Sequence, residues 1–301
     1  MSPATLVSVY LPTRNRAALL PAAIDSVLGQ THCSLELIVV DDDSQDDTAD
    51  VIARAAARDS RLRPIRLAPA AGACAARNAA IAAARGEFIT GLDDDDLMLP
   101  GRIRALLAAW RDERAFICSG WLVAREGWVR PMSTRHELID IDALLGGNVV
   151  GNQVLTRTLR LRAVGAYDRA MVASQDHDVW TRLVLRYGPA ERIAAPTLLV
   201  RQYAARERTS APGRAGEGAR QYLERYGERM SPAQRRSMEL TALIAARQPL
   251  RAADAWPFLR PPTSRALIGY LLRERMPGLA HALDRLLGWR YARRMPPLVR
   301  G

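Results

Sequence analysis

The strongest constraint on the fold is an alternation that fills the first hundred residues. The β-branched, apolar run "LVSVYL" (6–11), closed by Pro12, reads as a buried strand, and "AALLPAAIDSVLGQ" (17–30) then places its apolar residues at helical spacing. The same change of period recurs in "LELIVV" (35–40) and "DDTADVIARAAARD" (46–59), then in "LRPIRLA" (62–68) and "AARNAAIAAAR" (75–85). A fourth strand follows in "GEFITGL" (86–92). Strand and helix in strict turn predict an α/β chain, with an open, Rossmann-like, mainly parallel sheet and helices on both faces.

Sheets of that kind bind ligands in the crevice at the carboxyl ends of their strands. Two strands here end in acid, at 41–43 (Asp-Asp-Asp) and 93–96 (four aspartates), so both clusters are expected on one side of the sheet. Adjacent carboxylates repel one another and call for a cation. Their oxygens select a hard divalent ion, Mg2+ or Mn2+, which keeps positions open for substrate phosphates and neutralises a diphosphate leaving group.

Beyond Pro100, "GRIRALLAAWRDE" (101–113) reads as a helix and "AFICSGWLVAREGWVR" (115–130) as a strand and hairpin. "SQDHDVWTRLVLRYG" (174–188) reads as a helix burying Trp180, Leu183 and Leu185. Acids suit the start of that helix: Asp178 reads as an N-terminal cap, and Asp176 is a candidate general base. From about Pro212, Pro and Gly mark a linker into a helical, arginine-rich C-terminal extension (212–301).

Several chemistries are excluded. The sequence contains neither a GxxxxGK[ST] loop, nor GxGxxG after a strand, nor HExxH, and its four histidines are scattered. Three widely spaced cysteines, Cys33, Cys74 and Cys118, argue for a reducing compartment. With no signal-peptide pattern and no run of about 18 apolar residues, the expected location is cytoplasmic. The net charge of +11 is mostly arginine late in the chain, which suits anionic lipid or phosphorylated ligands, or simply a solvated face. The basic residues are not interleaved with aromatics, so nucleic acid is not an expected partner.

The ordered set "VSVYLPTRNRAALLPAAIDSVLGQTHCSLELIVVDDDSQDDT", "GACAARNAAIAAARGEFITGLDDDDLMLP" and "SQDHDVWTRL" resembles the family 2 glycosyltransferases of GT-A fold. The resemblance covers about the first 210 residues. It implies a GT-A domain at 1–211, with a nucleotide-sugar half to about residue 100 and an acceptor half from 101 to 211.

Position by position, it implies that Pro12, Thr13 and Asn15 approach the nucleotide. It implies that Asp41 and Asp42 are the aspartate pair after the second strand, with Asp42 accepting from a base such as uracil. The metal-binding DxD matches Asp93 and Asp95, with Asp95 as direct ligand and Asp94 near the ribose or sugar. Arg77 and Asn78 match a segment beside the donor. The glutamate-aspartate motif of the catalytic base matches Gln175 and Asp176, with Gln in place of the usual Glu. Arg206 stands where the family often has a histidine near the diphosphate.

The activity implied is inverting, metal-dependent transfer from a nucleotide-diphosphate sugar, UDP-linked in expectation. The acceptor implied is a hydroxyl of a glycan or lipid-linked molecule in cell-surface polysaccharide synthesis. The amphipathic C-terminal helices would allow peripheral contact with an anionic membrane. A sugar nucleotidyltransferase would share the acidic edge but usually carries a glycine-rich basic loop after the first strand, and "LPTRNRAALLP" has no glycine. A noncatalytic binding protein on the same fold is opposed by the retained Asp42, Asp95 and Asp176.

Overall fold

The computed structural model describes residues 5–125, 128–201, 213–246, 256–259, 263–276 and 278–279. The first hundred residues form β1 (Val7–Thr13), α1 (Leu20–Leu28), β2 (Leu35–Asp42), α2 (Thr48–Arg58), β3 (Leu62–Leu67), α3 (Ala73–Ala83) and β4 (Phe88–Gly91). β1 pairs in parallel with β2 and β4, and β2 with β3. The expected parallel sheet is present, in the order β3-β2-β1-β4.

The central strands are buried on both faces, which is why they read as continuous apolar runs. Val7, Val9 and Leu11 point into one core with Leu20, Ala23, Ile24 and Val27 of α1. Tyr10, on the opposite face, joins a second core with Ala76, Ala80 and Ile81 of α3. Period two in the strand and spacings of three and four in the helix thus meet in the same clusters.

β5 (Leu97–Met98), α4 (Arg102–Ala109), β6 (Ile117–Arg125), β7 (Trp128–Met132), β8 (Glu137–Ile139), α5 (Ile141–Leu145), β9 (Thr156–Arg157), α6 (Thr158–Ala163), α7 (Gln175–Tyr187) and β10 (Ala190–Arg201) complete two sheets. β9 adds an antiparallel edge to β4. The second sheet runs β5-β10-β6-β7, with β8 also on β10.

The expected helix 101–113 ends earlier, at Ala109. Trp110 leaves it with extended ψ and packs edge-on against Phe88, with ring centroids 4.9 Å apart. In α7, Trp180 and Leu183 are buried as expected, but Leu185 is 42% exposed. Five residues from Trp180 at 100° each turn it to the far side of the helix.

α8 (Arg214–Tyr226), α9 (Pro232–Ala245) and α10 (Ser264–Arg275) follow. α8 packs on α7: the Tyr222 ring stacks on His177 at 3.8 Å, and Tyr222 and Tyr226 share a cluster with Leu145 and Met171. No described helix is long and apolar enough to cross a membrane.

Candidate active site

The carboxyl ends of β1, β2 and β4 bring the two acidic clusters together as the sequence predicts. In register, Thr13 lies beside Asp41 and Tyr10 beside Gly91. Thr13 donates its hydroxyl proton to Asp94 Oδ2 at 2.8 Å, so the end of β1 is tied directly to the loop after β4. Arg16 stands 3.9 Å from the same carboxylate.

Asn15 has φ +52°, in the left-handed region that Asn tolerates better than most residues. There its backbone N–H donates to Ser44 Oγ, and its Oδ1 accepts from Gln45 N–H at 2.8 Å. Asp41 accepts from Ser44 N–H at 2.9 Å, and its other oxygen, buried, has no hydrogen bond.

Asp42 accepts two backbone N–H bonds, from Ala71 at 2.7 Å and Gly72 at 2.9 Å, one on each oxygen. Its clearest role in this structure is to hold the segment before α3 against the end of β2. Pro12, the remaining nucleotide-side residue singled out, lies within β1 beside Val40.

Arg77, on α3, donates to Asp93 Oδ1 at 2.9 Å and lies 5.2 Å from the centre of the Tyr167 ring. Burial works against its charge, but Asp93 and Asp176 outweigh that effect and keep it a cation. Asp93 also accepts from Gln153 Nε2 (3.3 Å) and Asn152 Nδ2 (3.2 Å). Asn78 is one step removed: it pairs with the backbone of Tyr167 in both directions.

Asp176 sits in the first turn of α7, half-buried, with Oδ1 out of solvent and lacking any hydrogen bond. Burial pushes its carboxyl up to about 7; Asp93 adds to the rise, while Arg77 and the Tyr167 hydroxyl oppose it. The neighbouring His177 is turned into the core, where burial lowers it to about 4 and one ring nitrogen meets Leu144 O. Gln175 Nε2 donates to Met171 O at 3.3 Å.

The four aspartates after β4 differ in surroundings. Burial raises Asp94 to about 6. Burial and Asp93 raise Asp95, whose carboxylate has no hydrogen-bond partner in another described residue, while its backbone oxygen accepts from Arg201. Asp96 is buried and accepts from Arg201 N–H, so it fastens β10 to this loop.

Asp178 departs from the expected cap. Fully buried, it takes Arg182, Arg225 and the Tyr226 hydroxyl, and so ties α8 to α7. Arg206 lies outside the described residues.

No group of three or more His, Cys, Asp or Glu side chains set to hold a metal occurs among the described residues. The donor set nonetheless fits a divalent cation completed by a ligand's phosphates. Asp95 offers uncommitted hard oxygens, and like-charge repulsion from Asp93 is what a cation relieves.

Sequence reasoning missed Tyr10, Gln153 and Tyr167. The Tyr10 hydroxyl donates to Gln153 Oε1 at 3.0 Å and lies 2.7 Å from that of Tyr167, a chain running beneath Arg77. A cue was present in β1, where Tyr10 is the one aromatic residue in the strand. Gly91 is required opposite it, because a Cβ there would overlap the Tyr10 ring and Gln153.

The sequence model of glycosyl transferase family 2 matches residues 8–166. The putative colanic acid biosynthesis glycosyl transferase WcaA of Escherichia coli (strain K12) is 33% identical over 208 residues, 65% of this chain and 72% of that protein. An Escherichia coli enzyme, the UDP-Glc:alpha-D-GlcNAc-diphosphoundecaprenol beta-1,3-glucosyltransferase WfgD, is 29% identical over 182 residues, 60% of this chain and 70% of that one. The crystal structure of S. aureus TarS 1-349 in complex with UDP-GlcNAc superposes with a TM-score of 0.62 at 18% identity, covering 89% of this chain and 80% of that one. That likeness shows the fold, which is the GT-A type. The chain belongs to glycosyl transferase family 2.

Proposed function

We propose that this protein is an inverting glycosyltransferase that moves a sugar from a nucleoside-diphosphate sugar, UDP-linked, to a hydroxyl of a glycan or lipid-linked acceptor in cell-surface polysaccharide synthesis. Support for the pathway class comes from relatives named for colanic acid synthesis and for an undecaprenol-linked acceptor. Support for the donor comes from the UDP-Glc in one relative's name and the UDP-GlcNAc complex of a structural neighbour.

The observation that carries the reading is the pairing of Asp176 with the loop at 93–96. A half-buried carboxylate raised to about 7, with one oxygen unpartnered, feels both Arg77 and Asp93, which are joined to each other. A base of that proton affinity exchanges a proton with a hydroxyl at neutral pH.

In the proposed reaction the acceptor oxygen bonds to the anomeric carbon as the bond from that carbon to the diphosphate breaks. The acceptor proton passes to Asp176 and the nucleoside diphosphate leaves. Attack from the face opposite the diphosphate inverts the configuration. Thr13, Asn15, Asp41 and Asp42 shape the nucleotide side, with Asp94 beside the sugar. Arg77 holds Asp93 and keeps Asp176 from rising further.

Asp95, with Asp93 beside it, would hold Mg2+ or Mn2+, which supplies charge neutralisation for the departing diphosphate. Arg206, outside the described residues, and the arginine-rich C-terminal helices belong to this proposal as diphosphate and membrane contacts.

A thermal-shift screen of UDP-, GDP- and dTDP-sugars with and without Mn2+ tests the reading, because a ligand bound only by the folded chain raises its stability. A rise with UDP-sugars that depends on Mn2+ is expected. No rise with any nucleotide sugar would remove the proposal.

A further inference from the structure

A cavity of about 200 Å3 opens beside the candidate active site, between the second sheet and the segment that anchors Asp93. Trp121 and Leu198, neighbours across β6 and β10, share one wall with valines, and Arg102, Ser119, Asn152 and Gln153 bring polar groups to the lining. Gly151 has φ +88° and lies close to the Trp121 indole, where a Cβ would stand 3.4 Å from the ring.

The cavity touches both halves of the chemistry. Asn152 and Gln153 donate to the two oxygens of Asp93. Gly151 O accepts from the indole N–H of Trp180, on the helix that carries Asp176, at 3.1 Å. An occupant therefore sits against the segment that joins the acidic edge to the base.

The lining is amphipathic. Arg102 is 1% exposed and spends Nη1 on Ser119 and Thr197 and Nη2 on Gln153 O, which leaves Nε without a partner. Beside it, Ser119, Asn152 and Gln153 put hydroxyl and amide groups on the same wall. A hydrocarbon chain would cover that polar share of the wall without hydrogen-bonding it, which disfavours such an occupant.

The volume lies below the roughly 300–1,000 Å3 of pockets that enclose a drug-sized ligand, which leaves room for one small ring. A pyranose matches on each count, with an apolar C–H face for the indole and a rim of hydroxyls for the polar groups.

We propose that this cavity is the subsite for the terminal pyranose of the acceptor, with Trp121 as the shelf on which the sugar ring lies. The inference rests on the glycosyltransferase reading above and sharpens it: the acceptor is recognised as a sugar, and its lipid or other aglycone stays outside.

Saturation-transfer NMR with the methyl α- and β-glycosides of glucose, galactose and N-acetylglucosamine, run with excess UDP and Mn2+, tests it. At least one glycoside should receive saturation at its ring C–H protons, and Trp121→Ala should weaken its binding by about tenfold or more. The stabilisation by UDP and Mn2+ should be the same in wild type and variant. Should Trp121→Ala not fold, Trp121→Leu keeps apolar volume without a flat ring and carries the same expectation.

Three results overturn the proposal. They are saturation of no glycoside, saturation untouched by the Trp121 variants, or loss in those variants of saturation to the sugar of a bound UDP-sugar, which would make the cavity a donor site. Loss of the UDP–Mn2+ shift in wild type strikes the glycosyltransferase reading instead, so the two failures are told apart.

Discussion

Arg77 and Asp93 form the hinge of the site: a guanidinium from α3 meets the first aspartate after β4 at 2.9 Å, and the same cation opposes the rise in proton affinity of Asp176. Removing the charge with Arg77→Met frees Asp93 to act on Asp176 unopposed. The acidic limb of the pH–rate profile should move to higher pH, and activity at pH 7 should fall about tenfold or more, one pK unit being tenfold. A profile that keeps its midpoint would separate Arg77 from the base.

Asp176 also sets a direction for stability. Its carboxyl titrates near 3.8 when unfolded and is held up to about 7 when folded, so between those values the native state binds the extra proton. Its contribution is therefore fully present below about pH 4 and is lost as pH rises through 7. Asp176→Asn removes this titration. Its melting temperature, relative to wild type, should gain at pH 8 over its value at pH 4, read by thermal denaturation without metal.

Asp42 should matter for donor binding through backbone geometry. Asp42→Ala strips partners from the N–H groups of Ala71 and Gly72. Ala71 and Gly72 are exposed, so water takes up part of the loss and each bond contributes on the order of 1 kcal/mol. We expect a lower melting temperature and a donor KM raised at least about tenfold, while Asp42→Asn, which keeps one acceptor oxygen, should fall between.

The parallel sheet and its acidic edge were legible because the strands are buried on both faces and the helices carry their own period, so short windows of sequence suffice. The partners of individual aspartates were not. Asp42 is committed to a loop about thirty residues on, and Asp96 to the backbone of Arg201 more than a hundred residues on. Asp178 reads as a cap from its position in the helix, yet Arg225 and Tyr226 come to it from α8. Tyr10, Gln153 and Tyr167 meet only after both halves of the chain have folded, so beyond the single tyrosine in β1 a window a few residues wide carries no trace of their contact.

The helices after residue 213 should prove part of the folded core. Tyr222 is fully buried, stacks on His177 and hydrogen-bonds Thr181 at 2.7 Å. Tyr222→Ala should cost about 3–5 kcal/mol, as for other large buried aromatics. Chemical denaturation would show it, and an unchanged midpoint would mean that α8 is not docked in solution.

The central claim is that Asp176 accepts the acceptor's proton. Its most direct test is steady-state turnover of wild type and Asp176→Asn with the best-binding nucleotide sugar, beside donor affinity measured by titration. Loss of kcat by a factor of about 10^3 or more with donor affinity nearly unchanged is the expected result. A variant that turns over at the wild-type rate would contradict it.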